Sequence, residues 1–301
     1  MLEKNIKNVR QQFREQGVYY TDKELAKKLK SYINIDVKNV YDPTCGQGDL
    51  LAVFDDEVEK FGQELDEAEL NKCKANLVNF TGYAGDTLKD PRFIDYKFDC
   101  IIANYPFSVK WDVDNSNSKI FDECKIIPPK SKADYAFILH ILHCLSDSGV
   151  AVSLNFPGVL YRGNKEGGIR KWLVEKNYID EIVNIEGGYF VDTKIPTAII
   201  VFKKNKENTD IKFTDNKTGK SYIAKINEIK DNDYCLSVQN YVTCDAEKEQ
   251  INPIEQQKLA REGFLKLLKK ELDFDKMVCN IENWDNTEYV KMIKKTIENY
   301  E

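Results

Sequence analysis

An Asn-Tyr-Pro-Phe tetrapeptide at residues 104–107 brings together residue types that can do chemistry. It follows the apolar run 98–103, which is typical of a buried strand. An amide, a proline that restricts the turn and a flat ring would therefore lie at the carboxyl edge of a sheet. The side-chain oxygen of Asn104 can accept a hydrogen bond from a planar amine, and the ring of Phe107 can stack on its face. Taken alone, the tetrapeptide is also an ordinary turn, because Asn and Pro are common turn residues.

A glycine-rich turn lies upstream, in residues 40–51 (Val-Tyr-Asp-Pro-Thr-Cys-Gly-Gln-Gly-Asp-Leu-Leu). The segment is typical of a strand that breaks into a turn and opens a helix. Open α/β sheets bind nucleotides at such a turn after the first strand. Gly46 and Gly48 allow the backbone to approach a ligand closely. The turn lacks the third glycine of the Gly-x-Gly-x-x-Gly pattern of dinucleotide-binding proteins, and a lone Gly-x-Gly is more often a plain turn.

Acidic residues end the first three predicted strands, at Asp42, Glu64 and Asp86. The carboxylate of Glu64 can accept both hydroxyls of a ribose, and that of Asp86 can accept an adenine amine. Such a cradle suits an adenosine without a pyrophosphate. Because a sulfonium is stabilised by carboxylates and aromatic faces, the pattern favours S-adenosylmethionine over NAD. A single acid at a strand end is usually a cap or solvated, but three in register with a glycine turn favour a binding site.

The composition is that of a globular protein without a membrane span. The chain has 301 residues, of which 42% are hydrophobic and 31% charged, and no apolar run approaches the roughly 20 residues that cross a bilayer. The eight cysteines form no Cys-x-x-Cys pair, so we expect reduced thiols in a cytoplasmic protein and no metal site. The net charge of −6 argues against binding nucleic acid by bulk electrostatics, so if DNA is the substrate a partner would supply much of the grip.

Predicted strands alternate with predicted helices, which indicates an α/β protein with a parallel, doubly wound sheet. We expect an N-terminal helical segment at residues 1–33, a catalytic domain at 34–205, and an appendage at 206–301 with a small hairpin and two charged helices. The segment 49–60 is predicted to be helical. The long polar stretch 108–132 follows the tetrapeptide directly and is expected to overhang the site, since loops of this length are usually functional or disordered.

The order of these motifs resembles the modification (methylase) subunits of type I restriction-modification systems, which are N6-adenine DNA methyltransferases. Residues 42–51 look like that family's Asp-Pro-Ala-Cys-Gly-Ser-Gly signature, and residues 85–88 match its Gly-Asp-Thr-Leu. Asp22 replaces the proline that usually ends the family's Tyr-Thr-Pro segment. The matching segments, which span roughly residues 12–245, are residues 17–21, 42–51, 62–66, 85–88, 104–107, 133–137, 157–163 and 195–197, together with His140 and His143.

The resemblance implies a Rossmann-like sheet of the class I S-adenosylmethionine-dependent methyltransferases, with S-adenosylmethionine as the cofactor. The catalytic residues that it implies are Asn104, Tyr105, Pro106 and Phe107. The cofactor-binding residues that it implies, together with those derived above, are Tyr20, Thr21, Asp42, Pro43, Thr44, Cys45, Gly46, Gly48, Glu64, Leu65, Asp86, Thr87 and Asn104.

One departure concerns the tetrapeptide, which in the family is Asn-Pro-Pro-Phe or Asn-Pro-Pro-Tyr. Here Tyr105 takes the second position. In the family that residue offers its backbone carbonyl to the target amine; tyrosine has the carbonyl but lacks the fixed φ of proline.

Related turns occur in enzymes that methylate cytosine N4, RNA adenine or a protein glutamine. A non-catalytic cofactor-binding subunit with a decayed site is an alternative of another class.

The resemblance also implies partners. DNA is the expected substrate, in a restriction-modification, phage or mobile-element context, and a separate specificity subunit and a restriction subunit are the expected protein partners. The charged C-terminal helices are predicted to be amphipathic and to contact such a partner.

Overall fold

The computed structural model describes residues 22–114, 116–185, 196–242, 253–282 and 287–298. The chain divides into two compact units, Met1–Cys244 and Asp245–Glu301. Residues 1–21 of the predicted N-terminal helical segment lie outside the described residues, and with them the predicted cofactor contacts Tyr20 and Thr21.

Nine strands and seven α-helices are present in the described parts of the chain. The strands are β1 (Asn39–Asp42), β2 (Glu59–Glu64), β3 (Phe80–Ala84), β4 (Phe98–Ala103), β5 (Leu145–Asn155), β6 (Ile179–Ile185), β7 (Thr197–Lys203), β8 (Ile211–Asp215) and β9 (Ser221–Ala224). The helices are α1 (Lys23–Lys30), α2 (Glu67–Asn76), α3 (Asp134–Cys144), α4 (Asn164–Glu175), α5 (Ile226–Asp231), α6 (Pro253–Glu282) and α7 (Thr287–Glu298).

All nine strands form one sheet in the order β3-β2-β1-β4-β5-β7-β6-β8-β9. The first five strands in this order run parallel to one another. β7 runs antiparallel to both β5 and β6. The α/β prediction is therefore confirmed, but the expectation of a purely parallel sheet is wrong. The apolar run of β7 marks a buried strand and carries no information about its direction.

The predicted hairpin continues the sheet. β8 pairs in parallel with β6, and β9 pairs antiparallel with β8. These two strands follow residue 205, where we placed the start of the appendage, and they lie within the first compact unit. The functional division at 33/34 and 205/206 stays a prediction.

Two apolar clusters cover the two faces of the sheet, because successive strand residues point to opposite sides. Tyr41 and Ile101 belong to the cluster that α3 covers, and the neighbouring Val40 and Cys100 belong to the other, which α1 covers. Helix α3 is buried along almost its whole length, which explains why its sequence is apolar on every side. The doubly wound arrangement is thereby confirmed.

The predicted helix at residues 49–60 is wrong. Only a single 3₁₀ turn forms there, at Leu51–Val53, and β2 already begins at Glu59. Lys60 explains the error, because it is a charged residue in a buried strand position, 2% exposed. Its Nζ donates to the carbonyl oxygens of Asp55 at 2.7 Å and Val58 at 3.2 Å, so the ammonium is satisfied inside the fold.

The second unit contains α6 and α7, the charged helices that the sequence predicts. Leu272 and Ile293 are buried between them. Several other apolar side chains of this unit are exposed, namely Phe264, Leu267, Phe274, Met277, Tyr289 and Met292. Across the described ranges, no helix is both long enough and apolar enough to span a membrane.

Candidate active site

The glycine turn, residues 43–48, follows β1 and has two residues with left-handed backbone. Gly46 has a φ of +51° and Gly48 a φ of +92°, values that favour glycine. A Cβ at Gly48 would lie 2.8 Å from Cys73 Sγ and from Leu77 Cδ1, whereas a Cβ at Gly46 would meet nothing within 4 Å. Gly48 is therefore needed for packing against the end of α2, and Gly46 borders open space that a ligand can enter.

The carboxylate of Glu64 is held against this turn at the end of β2. Its Oε2 accepts a hydrogen bond from the Gly46 N–H at 2.9 Å, and its Oε1 accepts one from the Asp66 N–H at 3.0 Å. A carboxylate has about four acceptor positions, so both oxygens can accept further hydrogen bonds. This geometry fits the predicted contact with two ribose hydroxyls.

Asp42 ends β1 and is 1% exposed. Its Oδ1 accepts a hydrogen bond from the Thr44 N–H at 2.9 Å. Burial raises the pKa of Asp42 to about 8; the negative charge of Glu64 adds to the increase and the Thr44 hydrogen bond opposes it. The carboxyl is therefore mostly neutral at pH 7, and a bound cation would favour its ionised form.

The loop after β3 supplies the next predicted residues. Asp86 is exposed, and its Oδ1 accepts a hydrogen bond from the Leu88 N–H at 2.9 Å. Thr87 is buried and donates its hydroxyl to the Pro43 carbonyl at 2.5 Å, so it ties this loop to the glycine turn. Leu65, directly after β2, has 73% of its surface exposed. Asp86 and Leu65 are thus accessible, while Thr87 holds the loop against the glycine turn.

Cys45 lies in the glycine turn with its side chain in the core. The thiol is 5% exposed, and a Cβ at Gly62 would come within 2.7 Å of its Sγ. The pKa of Cys45 is raised far above its usual range. The largest cause is a hydrogen bond with the Cys73 thiol, and burial is the next largest. The thiol is accordingly inert packing, and only the Cys45 backbone is in a position to contact a ligand.

The predicted tetrapeptide, called here the 104–107 turn, begins where β4 ends. β4 lies beside β1 with Ile101 opposite Tyr41, so the turn and the Asp42 carboxyl share one edge of the sheet. Asn104 and Phe107 are half-buried, and Phe107 packs partly against both apolar clusters. The structure therefore brings together the two segments that the sequence singled out.

A buried ion pair fixes the far end of this turn. Ser108 has a left-handed φ of +54° and donates its N–H to Asp134 Oδ2 at 3.1 Å. Arg162 Nη2 lies 3.7 Å from Asp134 Oδ1, and Arg162 Nη1 donates to Glu166 Oε1 at 2.9 Å. Burial raises the pKa of Asp134, and the Arg162 charge opposes that increase. The pair thus holds a strained residue next to Phe107.

Sequence reasoning gave no role to Ser108, Asp134 or Arg162. Two of them lie in segments that match the family pattern, Asp134 in 133–137 and Arg162 in 157–163. The signal was a charged residue at the start of an otherwise apolar helix, since Asp134 opens α3 and is completely buried. A buried carboxylate requires partners, but the sequence does not say which.

The long stretch 108–132 is a folded loop that closes on itself. Ala133 N–H donates to the Val109 carbonyl at 2.9 Å, and the Trp111 indole N–H donates to the Pro129 carbonyl at 3.0 Å. The Asn117 N–H donates to the carbonyl of Leu88 at 2.9 Å. The loop therefore reaches the segment that carries Asp86.

The two histidines of α3 are structural. His140 is fully buried, and its Nε2 lies 3.1 Å from the Tyr41 hydroxyl. Burial lowers the pKa of His140 to about 3 and also lowers that of His143, so both are neutral at pH 7. In the ranges that the structure covers, no three His, Cys, Asp or Glu side chains are grouped to hold a metal ion.

Known proteins share this sequence and fold. A model of the N-6 DNA Methylase family matches residues 2–223. The methylase subunit of the type I restriction enzyme MpnII of Mycoplasma pneumoniae is 30% identical over 298 residues, covering 78% of this chain and 55% of that protein. This chain spans about half the length of the curated relatives that it matches.

Solved structures agree with this. A methyltransferase subunit of a type I restriction-modification system from Streptococcus thermophilus has 31% identity and a TM-score of 0.67, over 74% of this chain and 58% of that one. A protein from Listeria monocytogenes, assigned to the class I S-adenosylmethionine-dependent methyltransferases, shares the fold at 18% identity and a TM-score of 0.52, over 64% and 63% of the two chains. Because the family model covers most of its length, this chain belongs to the N-6 DNA methylase family.

Proposed function

We propose that this chain transfers a methyl group from S-adenosylmethionine to N6 of adenine in DNA. One observation carries the proposal: the 104–107 turn and the glycine turn share one edge of the sheet, on the neighbouring strands β4 and β1. Membership of the N-6 DNA methylase family supports the same chemistry.

The cleft offers a group for each part of the cofactor. Glu64 accepts the ribose hydroxyls, and Asp86 accepts the adenine amine. The exposed Leu65 side chain covers the adenine face, which removes its apolar surface from water. Gly46 leaves room above the turn, and Asp42 provides a carboxyl that a nearby positive charge ionises. When bound, S-adenosylmethionine supplies an electrophilic methyl on a sulfonium.

The 104–107 turn receives the target base. Flipping an adenine out of the duplex costs a few kcal/mol, and stacking on Phe107 offsets ~1–3 kcal/mol of it. The Asn104 side-chain oxygen and the Tyr105 carbonyl accept the two amine hydrogens, which directs the nitrogen lone pair at the methyl. With S-adenosylmethionine bound, N6 would form its bond to the methyl carbon as the carbon–sulfur bond breaks, the electron pair would stay on the sulfur of S-adenosylhomocysteine, and the amine would lose one proton to water. Positioning and dipoles supply the rate, with no strong base.

Protein partners complete this proposal. The curated relatives are methylase subunits of type I restriction enzymes, and the net charge of −6 gives this chain little general attraction for phosphate. We therefore propose that a specificity subunit supplies most of the DNA contact and that a restriction subunit joins the assembly. The exposed apolar side chains Phe264, Leu267, Phe274 and Met277 of α6 are suited to a protein contact.

The test is transfer of labelled methyl from S-adenosylmethionine to unmethylated DNA, with the product nucleoside identified by mass spectrometry. N6-methyladenine is the expected product. N4-methylcytosine, or labelling of RNA or of a glutamine-containing peptide in its place, would contradict the proposal. Cofactor affinity is measured in parallel, and the assay is repeated with a cognate specificity subunit, so that a missing partner and a non-catalytic subunit give different results.

Asn104→Ala provides the matched variant. It removes the amide oxygen that accepts the amine hydrogen while leaving Glu64 and Asp42 in place. We expect cofactor affinity within about twofold of the wild type and turnover reduced by at least about 100-fold, the range seen when one preorganised hydrogen-bonding group is removed. Turnover at the wild-type rate would refute the role of Asn104.

A further inference from the structure

The Tyr105 side chain is anchored in the core. Its ring is 1% exposed, and its hydroxyl donates to Oδ1 of Asn155, which is completely buried. Asn155 is the last residue of β5. The parallel register of β4 and β5 pairs Ala103 with Ser153, and two residues further along it brings Tyr105 opposite Asn155. The side-chain hydrogen bond therefore joins β5 to the chain just beyond the end of β4.

Asn155 is a rigid acceptor. Its Nδ2 donates to the Ser153 carbonyl at 2.8 Å, to Ser153 Oγ at 2.9 Å and to the Ala198 carbonyl at 3.4 Å. These contacts occupy the amide nitrogen, and the amide oxygen is thereby directed at Tyr105. A buried amide whose donors and acceptor are all used has one orientation.

Aromatic contacts place the ring itself. Tyr105 stacks on Phe137 of α3, with ring centroids 5.0 Å apart and planes 12° apart. It meets Phe107 edge-on, with centroids 6.4 Å apart and planes 86° apart. The tyrosine therefore links three things: the end of β5, the helix that covers this face, and the aromatic residue of the 104–107 turn.

We propose that Tyr105 and Asn155 form a positioning pair that holds the 104–107 turn in its active geometry. A proline at position 105 would restrict the backbone through its ring; here a buried hydrogen bond restricts the same residue through its side chain. The pair fixes the direction of the Tyr105 carbonyl and the pose of Phe107. Its catalytic consequence rests on the proposed methyl transfer, whereas its effect on the turn does not.

Tyr105→Phe tests the pair, because it removes only the hydroxyl and keeps the ring. Tyr241→Phe is the control: Tyr241 is 5% exposed, its hydroxyl donates to the Cys235 carbonyl at 2.6 Å, and its ring stacks on Phe213 at 3.9 Å. Both variants lose one tyrosine hydrogen bond, but only one loses it at the turn. Amide hydrogen exchange of residues 98–114 and steady-state methylation are measured for both.

We expect Tyr105→Phe to speed amide exchange in the 104–107 turn by about tenfold or more, because local opening becomes easier. We expect kcat to fall about 10- to 100-fold with unchanged cofactor affinity, since small misplacements of reacting groups are costly. Tyr241→Phe should leave the exchange of the turn and kcat at wild-type values. A combined Tyr105→Phe/Asn155→Ala variant should lose no more kcat than the more impaired single variant. Each substitution alone already removes the hydrogen bond between Tyr105 and Asn155, so the second has nothing further to remove there.

The proposal would be overturned if the amides of the 104–107 turn exchanged at the wild-type rate in Tyr105→Phe. It would also be overturned if Tyr105→Phe and Tyr241→Phe had equal effects on kcat. Additive losses in the combined variant would also overturn it. If the wild-type chain methylates nothing even with a cognate specificity subunit, the proposed function fails, while hydrogen exchange still decides whether the pair holds the turn.

Discussion

The pH dependence of cofactor binding reports on Asp42. This carboxyl is buried at the end of β1, and its pKa is raised from 3.8 to about 8. At pH 7 about ten molecules in eleven therefore carry a proton there before the cofactor binds. S-adenosylmethionine brings a positive charge to the cleft, which favours the ionised carboxylate. We expect binding to release this proton.

The sign and size of the effect follow from this shift. The bound state holds fewer protons than the free state, so affinity rises as pH rises. If binding lowers the pKa of Asp42 below about 6, the dissociation constant falls up to about tenfold per pH unit, since one unit is about 1.4 kcal/mol. Between pH 6 and 8 the total gain in affinity is at most about fiftyfold, and above about pH 9 the affinity stops changing.

Isothermal titration calorimetry in two buffers of different ionisation enthalpy measures both the affinity and the protons released. Asp42→Asn cannot ionise, so its residual slope reports only the titration of the ligand. A wild-type slope equal to that of Asp42→Asn, or proton uptake on binding, would refute the reasoning. The stability of the ligand-free protein gives a second test. As pH rises from 4 to 8, the wild type should lose unfolding free energy relative to Asp42→Asn, because native Asp42 keeps a proton that the unfolded chain has lost.

Three further variants test the site and its support. Glu64→Gln should weaken S-adenosylmethionine binding about 10- to 100-fold by calorimetry, since hydrogen bonds to a charged group contribute about 1.5–3 kcal/mol; unchanged affinity would exclude Glu64 as a ligand contact. Asp134→Asn should cost about 1–3 kcal/mol of unfolding free energy in urea titrations, because Arg162 keeps only Glu166 as a charged partner and Ser108 keeps a weaker acceptor; wild-type stability would contradict this. His140→Gln should flatten the loss of stability that the wild type shows as pH falls from 6.5 towards 3, since the unfolded chain gains a proton that the native state excludes. Parallel pH profiles from denaturant titrations would argue against that pKa.

Strand positions were largely predictable from the sequence. The run 98–103 was expected as a strand and coincides with β4, and the expected strand ends Asp42 and Glu64 are the last residues of β1 and β2. Continuous apolar residues bounded by turns indicate a strand buried on both faces. The antiparallel direction of β7 was not predictable, because the apolar pattern of a strand is the same in either direction.

The candidate site was predictable where it depends on strand ends. Asp42 and Glu64 end predicted strands and Asn104 directly follows one, and the carboxyl ends of parallel strands meet at one edge. Asn155 also ends a strand, but its role depends on the β4–β5 register that brings it opposite Tyr105. Register follows from long-range packing and not from local sequence, so this pair could not be inferred from the chain alone.

Burial was the second quantity that the sequence could not give. Asp42 was expected to be a carboxylate, but its complete burial makes it mostly neutral at pH 7. Thr87 was expected to contact the cofactor, but its hydroxyl donates a hydrogen bond to the Pro43 carbonyl. The contact between Thr87 and the cofactor stays a prediction. Both differences arise because neighbouring loops close over side chains that a linear reading treats as accessible.

The 104–107 turn is held from both ends, which bears on how a tyrosine can stand in its second position. At one end the Tyr105 hydroxyl is tied to Asn155, and at the other the Ser108 N–H is tied to Asp134, which Arg162 neutralises. A proline restricts one torsion angle of one residue, whereas these two anchors restrict the segment that lies between them. Tyr105 is therefore not in itself a sign of a decayed site. The buried partners of the turn are what an inactive site would be expected to lose, and in this chain they are intact.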